Sequence, residues 1–123
     1  MNERHRRGLE VLDRLDPELG LRILAAYEDI APDFGPMLAE FAFGEVLARP
    51  GLDLRTREIA TVAALAALGT APAQLRAHMR AALNLGWTRE ELVELMMQMA
   101  VYAGFPAAIN GLAAAKEVFA ARA

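Results

Sequence analysis

Proline and glycine interrupt this chain so regularly that no segment between breaks is longer than an ordinary helix. The breaks fall at Asp16-Pro17, Ala31-Pro32, Gly35-Pro36, Pro50-Gly51, Gly69-Thr70 with Pro72, Gly86, and Gly104-Phe105-Pro106. Between them apolar residues recur at helical spacing, with no sustained strand alternation. The pattern predicts an all-α protein, a compact multi-helix bundle of six or seven helices. The first covers about residues 2–14, with Leu9, Val11 and Leu12 on its apolar side. Asp16 as N-cap and Pro17 at the first helical position predict a second, carrying Leu21, Ile23, Leu24 and Tyr27. A third is expected over about 36–48, and a fourth from Asp53 through Leu68. Thr70 and Pro72 open a fifth, ending near Gly86. Thr88 and Glu91 read as a capping box for a sixth helix reaching about residue 103, and Pro106 starts a seventh reaching Phe119.

At 123 residues the chain is expected to form one domain over 1–123. It is 55% apolar with a mean hydropathy of +0.22, high for a small monomer. Self-association is the simplest way to cover that excess, so a homo-oligomer is expected. A net charge of −3 gives no general basic field for nucleic acid. The cationic cluster Arg4-His5-Arg6-Arg7 reads as a solvated first helical turn. A charged N-terminus, where a leader would turn apolar, points to the cytoplasm. Residues 95–115 carry no formal charge and approach the roughly 20 apolar residues of a membrane span. Gln98, Asn110 and the glycine–proline break interrupt them, and Glu91, Glu94 and Lys116 flank them. A helix pair buried in an oligomer, with no membrane partner, is the better reading. The absence of cysteine excludes disulfides and thiolate chemistry. His5 and His78 lie far apart without histidines at ligand spacing, so no metal site is expected.

His78 stands in an alanine-rich helical stretch, Gln74-Leu75-Arg76-Ala77-His78-Met79-Arg80-Ala81-Ala82. Imidazole is the side chain that ordinarily titrates near neutrality, which suits it to proton transfer. The alternative is a core histidine satisfied by a carbonyl. Gln74, one turn earlier on the same face, is placed to orient the imidazole or a substrate. Arg80 is turned away from His78 by about 200° but can meet a carboxylate at an interface, with Arg57 and Arg76 as rivals. Glu45, after Phe43-Gly44, either faces a cavity or bridges helices. Tyr102 shares a face with Gln98 and reads either as a donor to substrate oxygen or as a buried tyrosine. Met96, Met97 and Met99 read as core filler, and Trp87 as a staple onto the helix it precedes.

Several stretches together resemble the carboxymuconolactone decarboxylase family, relatives of the alkyl hydroperoxide reductase D-type proteins. They are Phe43-Gly44-Glu45, Arg49-Pro50-Gly51-Leu52, Thr56-Arg57-Glu58, the run from His78 to Asn84, Gly86-Trp87-Thr88, and the run from Ala100 to Ala108. The resemblance spans nearly the whole chain and implies a helical fold, a trimer or hexamer, and no cofactor. Peroxidases of this superfamily resemble a Cys-x-x-Cys with histidine four residues later. Those cysteine positions fall here on Ala71 and Gln74, so disulfide exchange has no thiolate to use. The decarboxylase branch keeps the histidine alone. The resemblance therefore implies decarboxylation of a small carboxylated lactone to an enol-lactone and carbon dioxide, in protocatechuate catabolism. His78 is the implied acid/base and Glu58 its carboxylate partner; Arg80, Gln74, Glu45 and Tyr102 are the candidate substrate contacts. Two alternatives remain: a lyase or isomerase acting on another small unsaturated acid or lactone, and a non-catalytic oligomer that binds a small ligand.

Overall fold

The computed structural model describes residues 2–122. Among them the chain is helical and without strands, as its punctuation predicts. The helices are α1 (Glu3–Leu15), α2 (Leu19–Ala26), α3 (Phe34–Met37, continuing as a π-helix over Leu38–Val46), α4 (Leu54–Leu68), α5 (Pro72–Asn84), α6 (Arg89–Tyr102) and α7 (Phe105–Ala121). They form two compact units, one ending at Leu54 and one beginning at Arg55. No helix among the described residues is long and apolar enough to cross a membrane.

In the first unit α1 begins where Asn2 Oδ1 accepts the backbone N–H of His5 at 2.8 Å. Its buried stripe is Gly8, Val11, Leu12 and Leu15, the i, i+3, i+4, i+7 spacing of a core-facing helix. Gly8 meets α3 backbone to backbone. A Cβ on Gly8 would strike the carbonyl oxygen of Ala39, and one on Gly44 would strike that of Arg4. Two expectations are corrected here. Asp16 caps the end of α1, its N–H bonded to Leu12 O at 3.0 Å, and its carboxylate receives Arg22 at 3.0 Å. The second helix therefore starts later, at Leu19, after Glu18 takes a left-handed φ of 67°. The third starts earlier than expected and is mostly π-helical, with Leu47 N–H reaching back five residues to Ala42 O at 2.9 Å.

The second unit is built around Val62, Leu75, Met79, Leu92, Met96 and Val118. Full burial of each such side chain is worth about 1.5–3 kcal/mol. The loop between α4 and α5 turns at Gly69, whose φ is 73°; Ala71 holds the cap position, without a side-chain bond, and Pro72 enters the first turn of α5. The predicted capping box forms, with Glu91 N–H on Thr88 Oγ1 at 3.1 Å and Thr88 N–H on Glu91 Oε1 at 2.9 Å. Met96 and Met99 are core residues, whereas Met97 is 46% exposed. Helix α7 begins at Phe105 and lays Gly111 against Met96, where a Cβ would strike the sulfur.

Candidate active site

Within the second unit, α4 and α5 bring two ionisable side chains together. His78 Nδ1 lies 2.5 Å from Glu58 Oε1. Glu58 is wholly buried, while the His78 side chain keeps about 20% of its surface open. The sequence folds this way locally because the two helices form a hairpin with a short glycine turn. Val62 and Ala66 of α4 share one buried apolar cluster with Leu75, Met79 and Ala82 of α5, alongside the polar pair. Burying a carboxylate costs several kcal/mol unless it is paired and hydrogen-bonded. Only half of that requirement is met among the described residues: Glu58 Oε2 is buried and has no partner there. A carboxylate on Nδ1 selects the imidazole tautomer and ring orientation, and directs proton exchange with any other molecule to Nε2.

A second set of contacts lies one helical turn before Glu58. Trp87 Nε1 donates to the backbone oxygen of Arg55 at 2.8 Å, and the Arg55 guanidinium sits 3.7 Å from the centroid of the indole ring. Trp87 thus reaches α4 as well as packing on the core. Its place before the capping box suggested the packing; nothing in the local pattern suggested Arg55 as its partner.

The remaining sequence candidates are dispersed. Gln74 is exposed, one turn before His78, and Arg80 is partly buried on the same helix. Arg76 pairs with Glu117 at 3.5 Å, and Arg57 is partly buried in the first turns of α4. Tyr102 is 81% exposed, so the reading of a buried tyrosine is corrected: α6 ends there and turns its last side chains outward. Glu45 belongs to the first unit, where it receives Arg4 at 3.3 Å. A cavity of about 280 Å³ is lined by Leu65, Ala71, Leu75, Arg76 and Asn110 among others, and a hollow of about 330 Å³ by Ile59, Trp87, Glu94 and Gln98. Neither is lined by His78.

The sequence reading missed a second histidine–carboxylate pair, in the first unit. His5 Nδ1 lies 3.1 Å from Glu40 Oε2, and Asn2 Nδ2 donates to Glu40 Oε1 at 3.1 Å. The hydrogen bond from Asn2, followed by that from His5, holds the Glu40 carboxyl below the usual carboxylate range. These bonds tie the start of α1 to the π-helical segment and explain why the N-terminal cationic cluster is not a free basic patch.

The model of the carboxymuconolactone decarboxylase family matches residues 32–117. The chain belongs to this family. It is 42% identical over 118 residues, 95% of this chain and 87% of the relative, to a protein of Acinetobacter baylyi named 4-carboxymuconolactone decarboxylase. It is 34% identical over 114 residues, 92% of this chain and 85% of the relative, to an uncharacterized 15.0 kDa protein of Paracoccus denitrificans. A nitrosuccinic acid decarboxylase of Metarhizium robertsii is 36% identical over 77 residues, 62% of this chain and 52% of that protein. The resemblance carried by the sequence motifs is thus borne out at the level of the family.

Proposed function

We propose that this chain is a carboxy-lyase that removes carbon dioxide from a small carboxylated lactone without a cofactor, acting as 4-carboxymuconolactone decarboxylase in protocatechuate catabolism. The observation that carries the proposal is the buried Glu58 carboxylate 2.5 Å from Nδ1 of a partly open His78. The Acinetobacter relative supports the substrate class, because its similarity runs through nearly the whole chain.

In the proposed reaction the bond between the substrate carbon and its carboxylate breaks and carbon dioxide leaves. The electron pair passes into the lactone-conjugated system, and a proton delivered from Nε2 of His78 completes the product. Glu58 holds Nδ1–H and keeps the ring in one orientation. Arg80 supplies a cation for a substrate carboxylate, and Gln74 an amide on the histidine's face; Tyr102 and Glu45 are further contacts in the assembled protein. The chain works as one functional domain in a cytoplasmic homo-oligomer, a trimer or hexamer. The exposed apolar residues Val101, Phe105 and Ile109 support the assembly, because a second copy is the surface most available to cover them.

The test is turnover of the carboxylated lactone, followed by ultraviolet absorbance and released carbon dioxide. His78→Gln is expected to lower the rate by at least about a hundredfold, the scale of a lost general acid, with an unchanged helical circular dichroism spectrum. A fully active His78→Gln protein would end the assignment. The Metarhizium relative favours one second reading, decarboxylation of a different small diacid. Turnover of such a diacid, with none on the lactone, would establish it instead.

A further inference from the structure

The beginning of α4 is fastened to the end of α5 by one arginine–tryptophan pair, three residues from Glu58. The indole N–H of Trp87 is used on a backbone atom, the carbonyl oxygen of Arg55, at 2.8 Å. The Arg55 guanidinium folds back over the same ring at 3.7 Å, donates to Gly86 O at 3.4 Å, and lies 4.0 Å from Glu91 Oε1. The other side of the clasp is itself held firmly. Gly86 takes a φ of 97° and Trp87 N–H returns to Ala82 O at 3.0 Å, a Schellman ending for α5. Glu91 is fixed by the capping box of α6.

Glu58 is buried, yet a single hydrogen bond orients its carboxylate among the described residues. One carboxylate oxygen meets His78 and the other has no partner, so no second hydrogen bond resists sliding or rotation of the carboxylate. Its register against the imidazole therefore follows the backbone of α4, whose Val62 and Ala66 are held in the core and whose first turn is held by this clasp. We propose that Trp87 and Arg55 are positioning residues for the His78–Glu58 pair. They fix the first turn of α4 against the helix that carries His78, and so set the distance between Oε1 and Nδ1. The inference rests on the reading of that pair as the acid/base centre. The contact is largely at the surface, where a cation–π pair contributes little to global stability. Its loss should register at the histidine more strongly than in an unfolding curve.

The test compares Trp87→Phe, which keeps an aromatic ring and loses the N–H, with Arg55→Met, which keeps an aliphatic stem and loses the fork. The direct readout is the ¹⁵N spectrum of the His78 imidazole, with Glu58→Gln as the reference for a disturbed pair. Both variants are expected to move the Nδ1 signal toward that reference and to lower kcat with KM unchanged. The loss in kcat should be on the order of tenfold to a hundredfold, the cost of a sub-ångström to ångström misplacement. Leu112→Ala, in the apolar packing of α7, should lower stability while leaving the His78 signals in place. If Trp87→Phe does not fold, Arg55→Met carries the comparison, since its backbone carbonyl still receives the indole. Wild-type His78 signals and wild-type kcat in a folded variant would overturn the inference. A wild-type protein inert toward lactones and diacids would remove the functional reading, and the imidazole spectrum would still decide the positioning claim.

Discussion

At the scale of residues, the question is why a small apolar fold keeps a carboxylate in its interior. Glu58 pairs with one imidazole nitrogen and leaves an oxygen without a donor, so the site is under-satisfied for a purely structural bridge. An apolar residue of similar volume is often no less stabilising than a buried ion pair. Under the proposed function the pair serves chemistry, and Glu58→Gln separates that role from one in stability. Glutamine keeps the shape and removes the buried charge, so stability in urea should stay within about 1 kcal/mol of wild type. Activity should fall by roughly a hundredfold or more, because an amide neither exchanges protons nor orients the ring as a carboxylate does. A stability loss of about 3–5 kcal/mol would instead mark the pair as an anchor of the fold. His78 was legible in the sequence because an imidazole amid alanine is chemically conspicuous. Glu58 became legible only through the family's arrangement, since an acid near a helix start is ordinary by itself. Arg55 gave no signal, because its role comes from a backbone carbonyl and a ring 32 residues away.

At the scale of elements, the features that read correctly are those encoded within a few neighbouring residues. The Thr88–Glu91 box and the glycine at position 69 needed no tertiary information. The failures lie where a distant contact governs local geometry. Asp16-Pro17 has the form of a helix start, yet Arg22 and the end of α1 claim Asp16. The π-helical stretch has an unremarkable helical composition; its small residues Ala39 and Gly44 lie against α1, and only that crossing shows their purpose. The crossing itself makes a firm prediction. A methyl group on Gly44 would meet the Arg4 carbonyl, a backbone atom that cannot swing aside. Gly44→Ala should therefore destabilise by about 1–3 kcal/mol or more, the range for overpacking. Gly51→Ala, with nothing within 4 Å of the added carbon, should stay within about 0.5 kcal/mol of wild type. Chemical denaturation of the two variants side by side checks both signs.

At the scale of the whole molecule, the sequence carried a broad expectation of self-association but no geometry. The uncharged segment now has a clearer shape within the second unit. Met97 and Val101 are one turn apart on α6, Phe105 and Ile109 one turn apart on α7, and Tyr102 stands at the corner between them. Exposures of 46%, 75%, 72%, 61% and 81% respectively make this a run of outward apolar side chains with no formal charge among them. Burying even two such side chains completely would contribute about 3–6 kcal/mol, part of what association costs in lost freedom of motion. If a second copy covers this corner, a charge placed there must be desolvated without a partner. Phe105→Glu should then shift the protein toward monomer in light scattering at micromolar concentration while its helical content is kept. The same substitution bears on function, because the two hollows described in the second unit leave His78 outside their walls. A site completed by assembly would lose activity together with the oligomer, and activity would return with protein concentration. Activity that stays full in a monomeric Phe105→Glu protein would place the whole substrate site within one chain. An unchanged oligomer would remove this corner from the interface.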